Sequence, residues 1–204
     1  MKQALSAIVI LVVLTITAYG AAKPRPYTGN GLLVIRDLVS QPGNENFQLP
    51  IYLEPGVGRI AEFQRCDLPK LSPVIASRQG ECVVPAMRIK GDWLKVPYDE
   101  AGREGWLRME RSWEYTPWEI YLKGKAVRLL PGLRKNFYAL RPEPNDNSPT
   151  TEISSKQQNL RVIQVRDDWA LVLVDLINYG WIRWRDDDGR FLIAIEDRFA
   201  SQRH

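Results

Sequence analysis

Beyond an uncharged opening run, the hydrophobic positions come in short bursts broken by turn-forming residues. LLVI (32–35), CVVPAMRI (82–89), DWLKVPY (92–98) and EGWLRM (104–109) read as strands. LRVIQVR (160–166), WALVLVDL (169–176), YGWIRWR (179–185) and RFLIAIE (190–196) are richer still in Val, Ile, Leu and aromatics, which suit a pleated, half-buried surface. DEAGR (99–103) and DDDG (186–189) each place a glycine where a hairpin needs positive φ. No stretch after residue 23 spaces its apolar residues as a helix would. Short strands with frequent turns predict an all-β chain.

The bursts repeat. IYLEPG (51–56) matches VRLLPG (127–132), and IKGDWLKV (89–96) matches VRDDWALV (165–172), each 76 residues on. GWLR (105–108) matches GWIR (180–183), 75 residues on. Three blocks in one order at one spacing are the signature of a duplicated unit. The expected organisation is one copy over 31–111, an aromatic-rich joint at 112–118 and a second copy over 119–197.

A Trp-bearing strand, a Gly-containing hairpin and a Gly-Trp strand resemble the C-terminal half of bacterial Src-homology-3 (SH3) domains. The likeness covers 89–108 and 165–183, with YLEPG and RLLPG in the place of an earlier Pro-Gly element. The segment between that element and the Trp strand is longer here than in the family. The resemblance implies two tandem small SH3-like β-barrels. It also implies a targeting module for cell-wall peptides or glycans, or an interaction module of envelope proteins. Polyproline recognition is not expected, because Leu94 and Ala170 stand where a second aromatic often does and the acidic-aromatic loop motif is not recognisable.

The opening run decides the compartment. Met1 and Lys2 precede an uncharged stretch from Gln3 to Ala22 that ends in small residues. One reading is a secretory signal peptide over 1–22, cut after Gly20 or Ala22. The other is an uncleaved N-terminal anchor, since 20 residues can span a bilayer. Lys23 and Arg25 after the run make a poor charge bias for an anchor with its N-terminus inside. Both readings export the remainder to the periplasm or beyond, with membrane contact only through 3–22. In an oxidising compartment Cys66 and Cys82 are most simply a disulfide.

Composition then removes whole classes of chemistry. The single His is the terminal His204, so histidine-based catalysis has no base to use. No nucleophile elbow, zinc-helix motif, phosphate loop or dinucleotide fingerprint occurs, so neither catalytic residues nor a cofactor are expected. Asp186, Asp187 and Asp188 lack the alternating spacing of a calcium loop and read as a solvated turn, so no metal is expected. The 28 Lys and Arg exceed the 24 Asp and Glu by only 4, with no basic stripe interleaved with aromatics, so no nucleic-acid partner is expected.

The seven Trp are the remaining candidates. Trp93 and Trp169, at repeat-equivalent positions, are expected to fill the core. Trp106 and Trp181 follow a glycine, where a neighbouring backbone approaches closely. Trp113, Tyr115 and Trp118 crowd the joint, either gluing the copies together or forming a binding face between them. Alternation puts Trp181 and Trp184 on opposite faces of their strand, so one of them faces outward. The candidate ligand-binding set is therefore Trp106, Trp113, Tyr115, Trp118, Trp181 and Trp184. The loop over 143–157, rich in Pro, Asn, Ser and Thr, is expected to be mobile, and its disulfide-stapled counterpart rigid. The leading expectation is a non-catalytic module that binds cell-wall material or a peptide. A scaffold partner in an envelope complex comes second and an unrecognised wall hydrolase third.

Overall fold

A computed structural model describes residues 25–36, 48–64, 66–71, 74–75, 81–152, 159–174 and 178–196. The opening apolar run therefore lies outside the described residues. Among those described, no helix is long and apolar enough to cross a membrane. The first half carries β1 (Gly31–Ile35), β2 (Leu49–Glu54), β3 (Val57–Phe63), β4 (Cys82–Ala86), β5 (Arg88–Lys90), β6 (Trp93–Pro97), β7 (Glu104–Arg108) and β8 (Glu114–Pro117). A helical turn, α1 (Trp118–Tyr121), leads into β9 (Ala126–Leu129), β10 (Ala139–Leu140) and β11 (Thr151–Glu152). β12 (Leu160–Arg166), β13 (Trp169–Leu173), β14 (Tyr179–Arg183) and β15 (Ile193–Glu196) complete the second half. The fold is all-β, and the paired strands run antiparallel.

Each segment read as a strand from the sequence contains a strand among its described residues, and the two hairpin loops are turns. At the first, the Tyr98 amide bonds the Arg103 carbonyl, with Gly102 at φ 78°. At the second, Asp186 Oδ1 accepts the amides of Asp188 and Arg190, with Gly189 at φ 72°.

Closed barrels do not form among the described residues. The first half makes two sheets, ordered β4-β1-β8 and β3-β2-β7-β6-β5, and the second an open sheet ordered β14-β13-β12-β9-β15. The chain leaves one first-half sheet for the other at Met87, whose amide bonds the Lys95 carbonyl. The side of β7 that a closing strand would need is occupied by β2.

Two of the three repeated blocks coincide in register. Trp93 faces Arg108, Lys95 faces Trp106 and Val96 faces Gly105. Trp169 faces Arg183, Leu171 faces Trp181 and Val172 faces Gly180 in the same way. The Pro-Gly block does not follow. IYLEPG runs through β2 into the turn to β3, beside β7, whereas VRLLPG runs out of β9, which pairs with β12 and β15. The two share a local turn, with Gly56 at φ 76° and Gly132 at φ 77°, a conformation glycine reaches without steric cost. In pairing, it is β1, between β4 and β8, that corresponds to β9.

The glycine of each Gly-Trp pair has a common task. In each half the long loop after the first strand folds back onto the Gly-Trp strand, where Tyr52 pairs with Trp106 and Arg141 with Trp181. A Cβ on Gly105 would stand 2.2 Å from Ile51 Cγ2, and one on Gly180 3.1 Å from Leu140 Cβ. Gly105→Ala is therefore expected to cost about 1–3 kcal/mol through overpacking. Gly180→Ala should cost less, and urea unfolding of the two variants checks that order.

The core explains why the strands read as they do. On β1, Leu33 and Ile35 enter a first-half core while Leu32 enters a second one that extends through the second half. On β4, Cys82, Val84 and Ala86 face the first core and Val83 the second. A strand buried on both faces loses the polar half of its alternation, hence the unbroken CVV run. Residues 114–117 of the joint are strand β8, paired with β1. Trp118, which follows it, is 1% exposed in the second core and forms part of the seam between halves.

The segment before β1 is stitched to the last hairpin. The Thr28 amide bonds the Gly189 carbonyl, Arg25 pairs with Asp186, and Arg185 donates to the Gly29 carbonyl. Cys66 and Cys82 form a disulfide inside the first core, Cα to Cα 6.2 Å.

Candidate functional site

Alternation along the paired Trp and Gly-Trp strands sets which side chains meet solvent. Leu94, Val96 and Leu107 face the core, as do Ala170, Val172 and Ile182 in the second half. Trp93 and Trp169 thus lie on the opposite, outer faces. This corrects the expectation for Trp93, since the glycine register commits the residue beside it inward. Trp169 is buried, 7% exposed, but on the outer face and outside the two core clusters. Trp93 is half-buried, its ring edge-on to Tyr52 at 5.4 Å. Trp93→Ala should therefore cost less than the about 3–5 kcal/mol of a core tryptophan, as thermal unfolding would read.

Most of the candidate aromatics are not open stacking faces. Trp118 and Trp184, each 1% exposed, pack on one another and on Phe191. The Trp118 indole donates to the Thr28 carbonyl and that of Trp184 to the Asp167 carbonyl, so both polar handles are spent. Trp113 sits in the first core. Trp106 and Trp181 are buried on the outer faces, beneath Lys95 and Arg166 respectively. Tyr115 is half-buried, and burial followed by the charge of Glu119 raises its phenol above the ordinary value.

What sequence reading missed is arginine. Two guanidiniums converge on Trp169, with Arg141 Cζ 5.6 Å and Arg183 Cζ 5.1 Å from the ring centre. Such contacts draw a cation to the negative face of the ring. Arg183 is placed by register, as the counterpart of Arg108. Arg141 is placed by the fold-back: its amide and carbonyl both bond to Trp181, at 2.9 and 2.7 Å.

The loop after Arg141 wraps around its side chain. Arg141 Nη1 donates to the carbonyls of Asp146 and Ser148, each at 2.8 Å. The Glu143 amide bonds Ser148 Oγ, and Ser148 is buried. Residues 143–148 thus close around the Arg141 side chain. The later part of that loop, 153–158, lies outside the described residues.

These groups border a small surface pocket lined by Asn136, Phe137, Ala139, Trp169, Asp146 and the two arginines. Arg183 also pairs with Asp146 and Asp187. Burial works against its charge, but the hydrogen bonds and charges of Asp187 and Asp146 more than compensate, so its pKa is raised. Its Nε is buried with no hydrogen-bond partner. Arg141 is 7% exposed and has no ion pair with a carboxylate among the described residues. The donors are guanidinium N–H groups beside an indole, an arrangement that holds and orients a planar acceptor. No group of three His, Cys, Asp or Glu among the described residues could hold a metal ion. The Asp186–Asp188 run is tied up in its own turn and in the pairs to Arg25 and Arg183.

No protein-family model matches the chain, and neither the curated proteins nor the solved structures contain a match to it.

Proposed function

We propose that this protein is an exported, non-catalytic binding module of the bacterial cell envelope, built from two SH3-like units, that recognises cell-wall material or a peptide. The pocket where Arg141, Arg183 and Trp169 converge on an outer sheet face carries the binding reading. Its chemistry is that of holding a ligand: fixed donors, an aromatic wall and a few apolar side chains.

The SH3-like reading rests on topology. In the second half the last strand returns beside the first, giving the order β15-β9-β12-β13-β14. The first half follows that course through β8-β1-β4 and, past the bend at Met87, β5-β6-β7. Export is supported by the apolar opening run and is compatible with the Cys66–Cys82 disulfide.

Sedimentation of the exported chain with purified cell wall tests the proposal. Co-sedimentation with a change in Trp fluorescence is the expected result. A stoichiometric protein recovered from envelope extract, with no wall binding, would replace the wall ligand by a scaffold role. Turnover of a wall substrate would overturn the non-catalytic part.

A further inference from the structure

We infer that the pocket bordered by Arg141 and Arg183 takes a carboxylate, the charged end of a ligand chain whose last residue is small and apolar. This rests on reading the pocket as a binding site and adds the chemistry of what it binds.

Arg141 carries the inference. It is more than nine-tenths buried, yet its charge is met by two backbone carbonyls and an indole rather than by an anion. A buried charge with no counter-charge is costly, and an incoming anion relieves that cost. The neighbouring Arg183 differs, because Asp146 and Asp187 already accept from its Nη2 and Nη1. Asp146 is itself a carboxylate at the pocket, on a side chain 57% exposed. It shows the geometry that a ligand carboxylate would adopt on Arg183, and it competes for that position.

Size and lining narrow the ligand. The pocket has room for about one water, so it seats a single carboxylate oxygen and leaves the rest of the ligand on the open face, as the end of a chain allows. A planar carboxylate matches a guanidinium fork better than it matches a point charge. Phe137, Ala139 and Trp169 line it beside the cations, so a small apolar group next to the carboxylate would rest against them outside the water-sized space.

The test is a titration of the full exported chain with N-acetyl-glycyl-alanine, its C-terminal amide, and glucuronate, following the Trp169 indole N–H by NMR. The free acid should shift that resonance and the amide should not. Glucuronate binding in place of the peptide acid would assign the carboxylate to a sugar and would overturn the small apolar residue. Arg141→Lys keeps the charge and loses the fork, and should weaken acid binding at least about tenfold. Asp146→Asn removes the internal competitor and should tighten binding severalfold, which a merely structural role for the loop would not do. Equal binding of acid and amide, or no binding of either acid even to Asp146→Asn, overturns the inference. Wall sedimentation that survives in Arg141→Lys would leave the envelope function standing and place its ligand elsewhere. Acid-specific binding without wall sedimentation would do the reverse.

Discussion

Trp118→Ala is expected to remove about 3–5 kcal/mol from the stability of the whole chain, the range for deleting a large buried aromatic. The indole is 1% exposed and touches Trp184 and Phe191 from the second half, with Tyr121 at its flank. Its Nε1 donates at 2.8 Å to the carbonyl of Thr28, a wholly buried residue in the segment ahead of β1. One side chain thus joins the start of the first half, the turn α1 and the last hairpin of the second. The loss has two parts, a cavity among aromatics and a buried carbonyl left without its donor. Trp118→Phe would recover much of the first and none of the second. Urea unfolding should give a lower midpoint in one shared transition, since Leu32 and Val83 of the first half sit in the same core. Two separate transitions would mean that the halves are independent bodies that Trp118 only tethers.

Strand existence, the two hairpins and the disulfide were legible in the sequence because each depends on a few adjacent residues or on compartment. The DW and GW blocks were legible because their duplication fixed a shared register. The Pro-Gly block misled for a physical reason. It encodes a turn, and a turn carries no information about which strand lies alongside. Trp93 misled because duplicated aromatics on strands suggest core, whereas alternation from Val96 turns it outward; its counterpart Trp169 is buried, but on the outer face. The arginines were illegible for a different reason. Arg141 reaches Trp169 only because the loop folds back onto Trp181, a pairing forty residues away in sequence and invisible to local pattern. The one available signal was Gly180, whose missing side chain marks a close backbone approach and whose neighbour Trp181 receives Arg141.

Removing the disulfide should be the other large perturbation, costing about 3 kcal/mol for a loop of this length in the chain-entropy account. The bond closes 16 residues of sequence between Cys66 and Cys82. Cys82 opens β4 opposite Ile35 of β1, and Cys66 lies close to Leu68, all of them in the first core. The crosslink thus fastens the far end of the fold-back loop to the β4-β1-β8 sheet, whose other face enters the second core. The second half has no such bond; its fold-back is held by Arg141 on two carbonyls and by the buried Ser148. Cys66→Ala with Cys82→Ala removes the crosslink with little loss of volume, so its cost should match that of reduction in the native chain. Hydrogen exchange separates this from a general loosening. Protection should fall first at the β1–β4 amides and last at β13 and β14, which pair independently of the crosslinked segment. If reduction leaves the urea midpoint unchanged, the loop is held by its apolar contacts, Leu68 and Leu71 above all, and the bond adds no stability to the fold.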